Sequence, residues 1–240
     1  MNRSHTVLLS AVAIVIFAAL AIAVWVRVDA PPRATLPASF SGQRATRNYE
    51  AADFSRVNVR GQWQVALVRG EAWSVQLDYP IELEPYVDAN VQGDELVIAL
   101  AEQPGWWSDF GRRGDFRTTA RVVMPTLDEL ELAGASKLEM SGFAGNVLEL
   151  GASGASTITA TECRYDELDL DLAGAGNTDL SGLTATDARV SIVGAHSVTL
   201  RMAGGTLSGS MAGASSLKYH GSVASENVRT AGATSVRRLD

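Results

Sequence analysis

Hydrophobic and polar residues alternate through the C-terminal half of the chain, and the alternation itself repeats. Gly-Ala-Ser at 134–136 recurs as Gly-Ala-Ser at 154–156, Gly-Ala-Gly at 174–176, Gly-Ala-His at 194–196, Gly-Ala-Ser at 213–215 and Gly-Ala-Thr at 232–234, at spacings of 20, 20, 20, 19 and 19 residues. In that register Leu130, Leu150, Leu170 and Val190 share a column before the Gly-Ala pair, as do Leu132, Ala152, Leu172 and Ile192. After it, Leu138, Ile158, Thr178, Val198 and Leu217 align, and so do Met140, Ala160, Leu180, Leu200 and Tyr219. Apolar positions two apart belong to strands with one buried face, and no window sustains a helical 3.6 spacing. The pattern predicts that residues 127–240 form a parallel β-solenoid, each coil pairing with its neighbours ~4.8 Å away. The glycine is expected to supply a turn that a Cβ would obstruct, and the alanine to suit a tight inside corner.

Residues 49–126 show shorter strand signals. Phe54, Val57 and Val59 lead to Gly61, and Trp63, Val65 and Leu67 then alternate with polar or small neighbours up to Arg69-Gly70-Glu71. Val75 and Leu77 resume the alternation, which predicts a hairpin about that turn. A second turn at Gln92-Gly93-Asp94 precedes Leu96–Leu100, and Arg121–Met124 reads as a last strand. This strand-rich first part is expected to cover one end of the solenoid, and the polar last repeat with Arg237, Arg238 and Asp240 to discourage edge growth at the other.

The N-terminus has a different pattern. Thr6 to Val26 carries no charged residue and is long enough, at ~1.5 Å per residue, to cross a ~30 Å hydrocarbon core as a helix. Residues 1–29 are therefore expected to be a membrane anchor, with a signal peptide cleaved after Ala21 or Ala23 as the competing reading. Either places the remainder outside the cytoplasm: on the periplasmic side of the inner membrane if anchored, in the periplasm or at the cell surface if cleaved. Residues 30–48, with Pro31, Pro32 and Pro37 and no periodicity, read as a tether.

Composition narrows the function classes. A net charge of −7 weighs against binding nucleic acid. Cys163 is the single cysteine, so the fold has no intrachain disulfide and no zinc site built from several thiolates; a small buried residue is the expected role.

Two groups of residues could carry chemistry. Glu129, Glu149, Asp169 and Arg189 fall in one outward column, and Glu131 and Asp171 in a second, separated by Gly151. Carboxylates stacked on adjacent coils repel, and either Ca²⁺ held by Glu129, Glu149 and Asp169 or an arginine closing the row would relieve the repulsion. Carboxyl pairs also serve glycoside hydrolysis, but the repeats contain no Trp to act as a sugar platform. The second group is the loop Gly105–Phe116, in which Trp106 and Trp107 stand between glycines and are followed by Arg112 and Arg113, a composition suited to a contact patch for a protein, a glycan or a bilayer interface. His5, His196 and His220 are not spaced as a metal centre, and no serine-nucleophile elbow or phosphate-binding glycine loop occurs.

The Phe54-x-x-Val57-x-Val59 start, the Gly93-x-x-Leu96-x-Ile98 step, Val122-x-Met124-Pro125-x-Leu127-x-x-Leu130 and the serial Gly-Ala turns together resemble the family of putative autotransporter adhesins with a head GIN domain, over roughly residues 49 to 237. The resemblance implies an exported, right-handed parallel β-helix with an adhesive role and defines no catalytic residue or cofactor. His196 departs from the family pattern, standing where the turn usually has Ser or Gly. The expected function is non-enzymatic binding of an envelope protein or glycan. The alternatives are a carbohydrate-active enzyme using the stacked carboxylates and a scaffold or accessory protein of a membrane system.

Overall fold

The computed structural model describes residues 40–101 and 117–239. The expected anchor at 1–29 and the loop carrying Trp106, Trp107, Arg112 and Arg113 lie outside them. Among the described residues no helix is long and apolar enough to cross a membrane.

The chain is all-β. Its first strands are β1 (Arg44–Tyr49), β2 (Arg56–Gly61), β3 (Gln64–Arg69) and β4 (Ser74–Pro80), then a 3-10 turn at Ile81–Tyr86, β5 (Val87–Gln92), β6 (Glu95–Leu100) and β7 (Thr119–Met124). The repeats contribute β8 (Glu129–Gly134), β9 (Lys137–Ser141), β10 (Ala144–Thr161) and β11 (Cys163–Ala203). β12 (Thr206–Gly213), β13 (Ser216–Ser222), β14 (Ser225–Gly232) and β15 (Ser235–Arg238) complete the chain.

The register is the one the repeat predicts. Leu150 pairs in parallel with Leu130 and Leu170, Gly154 with Gly134 and Gly174, and Ile158 with Leu138 and Thr178. Later, Gly194, Gly213 and Gly232 follow one another at the shorter spacing. Side chains of the predicted apolar columns are buried, Thr178 among them. Each repeat is thus one coil, with a strand before the Gly-Ala corner, a strand after it and a short return segment closed by Phe143, Cys163 and Leu183. Cys163 is a free, buried thiol whose pKa burial raises.

Stacking at the corner explains the invariance of its glycine from coil to coil. A Cβ on Gly174 would stand 2.3 Å from the Gly154 carbonyl oxygen, and Gly174 has φ +114°, where a side chain is strained even in open space. The alanines face the other way from the expectation. Ala155, Ala175, Ala195 and Ala214 are exposed, and it is the third residue of the motif that turns inward, with Ser136, Ser156, His196 and Ser215 buried. The left-handed glycine sends the next side chain out, while the alanine N–H bonds to the glycine carbonyl of the preceding coil, as Ala214 does to Gly194 at 2.8 Å.

The first part of the chain does more than cover the stack. β2 and β3 form a coil directly beneath β8 and β9, with Gly61 opposite Gly134 and Gln64 opposite Lys137. Beneath that coil lie β6 and β7, paired in parallel with β2 and β3. The cover proper is antiparallel: β5 on β6, β4 on β7 and β1 on β4, with the 3-10 turn burying Leu83 and Tyr86 between β4 and β5. Reversing strand direction ends the parallel ladder.

Two local expectations are corrected. β3 and β4 are not a hairpin, because β7 lies between them, parallel to one and antiparallel to the other. Alternation marks strands but not their neighbours. The tether region also ends in a strand: β1 buries Ala45 alone among its side chains and is held to β4 by backbone pairing and the Arg44–Asp78 ion pair, so no apolar alternation announces it.

Candidate functional site

The acidic rows stand on the outward side of the strands that precede the corner. Strand pairing sets Glu95, Arg56, Glu129, Glu149 and Asp169 side by side on successive strands, and Arg189 follows. Arginines flank the three candidate carboxylates. Arg56 Nε lies 2.6 Å from Glu129 Oε2 and Arg189 Nε lies 3.5 Å from Asp169 Oδ1. The adjacent Glu129 carboxylate raises the Arg56 pKa further. The repeat pattern predicts one arginine closing the row; the structure has one at each end. Exposed pairs of this kind contribute ~1 kcal/mol or less, but they offset repulsion along the row. Among the described residues no group of three or more His, Cys, Asp or Glu is arranged to hold a metal ion, so Glu129, Glu149 and Asp169 are a line of carboxylates rather than a converging ligand set.

Among the described carboxyl groups, the largest pKa shift falls in the second column. Gly151 lies between Glu131 and Asp171 in the ladder, and a Cβ built on it would stand 2.2 Å from Glu131 Oε1. The Glu131 carboxyl therefore lies across Gly151, in the notch its missing side chain leaves. There burial, and after it the negative charges of Glu129, Asp171, Glu95 and Glu149, push its pKa up to about 7. Burial likewise raises Asp171, opposed by a hydrogen bond from Ser191. Glu131 can exchange a proton near neutrality, which an isolated surface glutamate does not do. The repeat register puts Glu131, Gly151 and Asp171 in one column, yet the count of stacked carboxylates draws attention to the other. The signal available was the glycine, which lets a neighbouring carboxyl lie down.

The second candidate is positioned by the lowest parallel coil. In the coil above, residues 62 and 63 suffice to turn from β2 into β3, whereas between β6 and β7 the same corner is spanned by residues 101–118. The returning end of that connection is fixed. Thr118 donates its hydroxyl to the Gln62 carbonyl, Gln64 N–H bonds to the Thr118 carbonyl at 2.9 Å, and Arg44 Nη2 donates to the Arg117 carbonyl at 2.9 Å. Beside these anchors is an open depression lined by Gln62, Gln64, Arg117, Thr118 and Lys137. The residues on either side of the segment carrying Trp106, Trp107, Arg112 and Arg113 thus lie at the corner ridge next to this hollow, which Trp63, Ala135 and Ala155 also line and whose Lys137 is paired with Glu139 at 2.8 Å.

Known proteins share this architecture. No curated protein matches the chain. Among solved structures, a putative adhesin from Bacteroides fragilis superimposes with a TM-score of 0.61 at 13% identity, covering 84% of this chain and 99% of its own. One from Parabacteroides distasonis does so with a TM-score of 0.52 at 14% identity, over 84% and 99%. At such identities these likenesses speak to the fold alone. The family model described as "Putative auto-transporter adhesin, head GIN domain" matches residues 53–187, more than half of the chain, and the chain belongs to that family.

Proposed function

We propose that the chain is a non-enzymatic binding module of the bacterial cell envelope, held at the inner membrane by residues 1–29, with its solenoid on the periplasmic side and the loop 102–116 as its contact surface. The observation that carries this reading is where the chain on either side of 102–116 is held. β6 ends and β7 begins at one corner of an otherwise regular stack, so the segment between them starts and ends on a rigid scaffold, the arrangement in which loops most often bind. Its two tryptophans and two arginines are residue types enriched where interfaces concentrate their energy. The family's description as adhesins supports binding as the general activity.

The test is capture from envelope extracts and on a glycan array by the full-length protein and by a Trp106→Ala/Trp107→Ala variant of unchanged circular dichroism. The proposal expects a specific protein or glycan, captured by the parent and lost by about thirtyfold or more in the variant, the equivalent of ~2 kcal/mol at a hot spot. Equal capture by both would move the contact to the strand faces. Capture of nothing by either would overturn the binding reading in favour of a membrane scaffold.

A further inference from the structure

The inward position that follows each Gly-Ala pair is a row of ties between coils. Ser136 Oγ accepts the Trp63 N–H at 3.2 Å and donates to the Gly61 carbonyl at 3.1 Å. Ser215 Oγ does the same for the coil before it, accepting the His196 N–H at 3.1 Å and donating to the Gly194 carbonyl at 3.0 Å. At 196 the row carries an imidazole in place of the hydroxyl. His196 is 4% exposed, and neither ring nitrogen has a hydrogen-bond partner. In the preceding coil the row is Gly176, where a Cβ would lie 2.2 Å from the Ser156 carbonyl oxygen and 3.3 Å from His196 Cε1, so its absence leaves space for the ring. One coil further back, Ser156 Oγ is also buried and unpartnered.

We propose that His196 is an acid-sensitive latch: as a neutral ring it fills the inner corner above Gly176, and on protonation it leaves, releasing the coils that follow it. A neutral imidazole can be buried at the cost of its unmade hydrogen bonds, whereas burying an imidazolium with no hydrogen-bond acceptor on either nitrogen and no counter-charge costs far more. The surroundings offer the cation no counter-charge. Asp171, Asp179, Arg189, Lys218 and His220, on the flanking strands, lie on the outward side, and inward-facing Tyr219 donates its hydroxyl to Glu226 at 2.7 Å. Burial by itself holds the His196 pKa below the ordinary histidine value. The opened state therefore binds more protons than the closed one, so the latch is fully closed above about pH 6.5 and weakens as the pH falls below it. The coils it would release are thinly held. β14 and β15 leave most of their side chains exposed, and β12 and β13 reach the rest of the stack through the strand that carries His196.

The experiment is hydrogen exchange by mass spectrometry on the full-length protein at pH 7.5 and pH 5.0, corrected for the intrinsic rate, with His196→Gln, His196→Ser and His220→Gln alongside. The parent is expected to lose protection across 206–238 by up to about thirtyfold at pH 5.0, the limit for one proton over the 1.5 pH units below 6.5, while 144–181 does not follow. His196→Gln and His196→Ser should abolish the loss, and His220→Gln should keep it. Protection in the parent that is independent of pH, or a loss that survives His196→Gln, overturns the proposal. Should the His196 variants not fold, the His196 ring followed by NMR in the parent decides: titration at an ordinary histidine pKa with protection intact rejects the latch, and titration together with the loss of 206–238 supports it.

Discussion

Single residues decide how closely the coils approach. Gly174 illustrates the limit, since its Cβ position lies within 2.3 Å of a carbonyl in the preceding coil and its φ is +114°. Gly174→Ala should cost at least about 1–3 kcal/mol in chemical denaturation from the backbone conformation alone. The outward neighbour change Ala175→Ser should stay within about 0.5 kcal/mol. Glu131 makes a different prediction. Its folded pKa of about 7 lies above that of an unfolded glutamate, so the native state binds more protons between the two values and stability falls as the pH rises through that interval. Glu131→Gln should raise the melting temperature at pH 8 and change it little at pH 4.5; a destabilisation at pH 8 would contradict the packing described for the notch. At this scale the sequence is legible where alternation rules. Leu130, Leu150 and Leu170 are buried as expected. Alternation misplaces the alanine of the corner, because which way a residue turns after a left-handed glycine is set by φ rather than by period.

At the scale of elements, the inward serines are not equivalent. Ser136→Ala removes the acceptor of the Trp63 N–H in a buried corner and should cost about 1–3 kcal/mol. Ser156 has no hydrogen-bond partner, so Ser156→Ala should be near neutral or stabilising. Paired denaturation curves check the contrast, and equal costs would contradict it. β1 closes the edge of β4, and removing residues before 50 should expose that edge and speed proteolysis near 74–80 relative to a chain beginning at residue 40. Neither β1 nor the separation of β3 from β4 is legible in the pattern. β1 is an edge strand that buries one alanine, and the separation of β3 from β4 depends on β7, which arrives some fifty residues later in the chain. The coil formed by β6 and β7 is hidden for a related reason: the connection between them breaks the twenty-residue period that makes the later coils visible.

Over the described residues, the strands form a stack with one end closed by antiparallel strands, and the chain between residues 101 and 117 connects two strands at one corner. Proton uptake acts in opposite directions at two heights of that stack. As the pH falls below about 7, Glu131 takes up a proton and its repulsion with the neighbouring carboxylates is lost, while protonation of His196 loads the later coils. The acidic columns are legible in the sequence as columns; their neutralisation by Arg56 is not, because Arg56 reaches Glu129 from a coil formed far earlier in the chain. The binding account rests on the corner loop being separable from the scaffold. Replacing residues 101–118 with a two-residue corner, as Gln62-Trp63 provides in the coil above, tests this most directly, with circular dichroism and hydrogen exchange on the stack beside capture of the ligand found with the parent. The account predicts an intact solenoid that no longer binds. Binding retained by the shortened protein would contradict it and assign recognition to the strand faces.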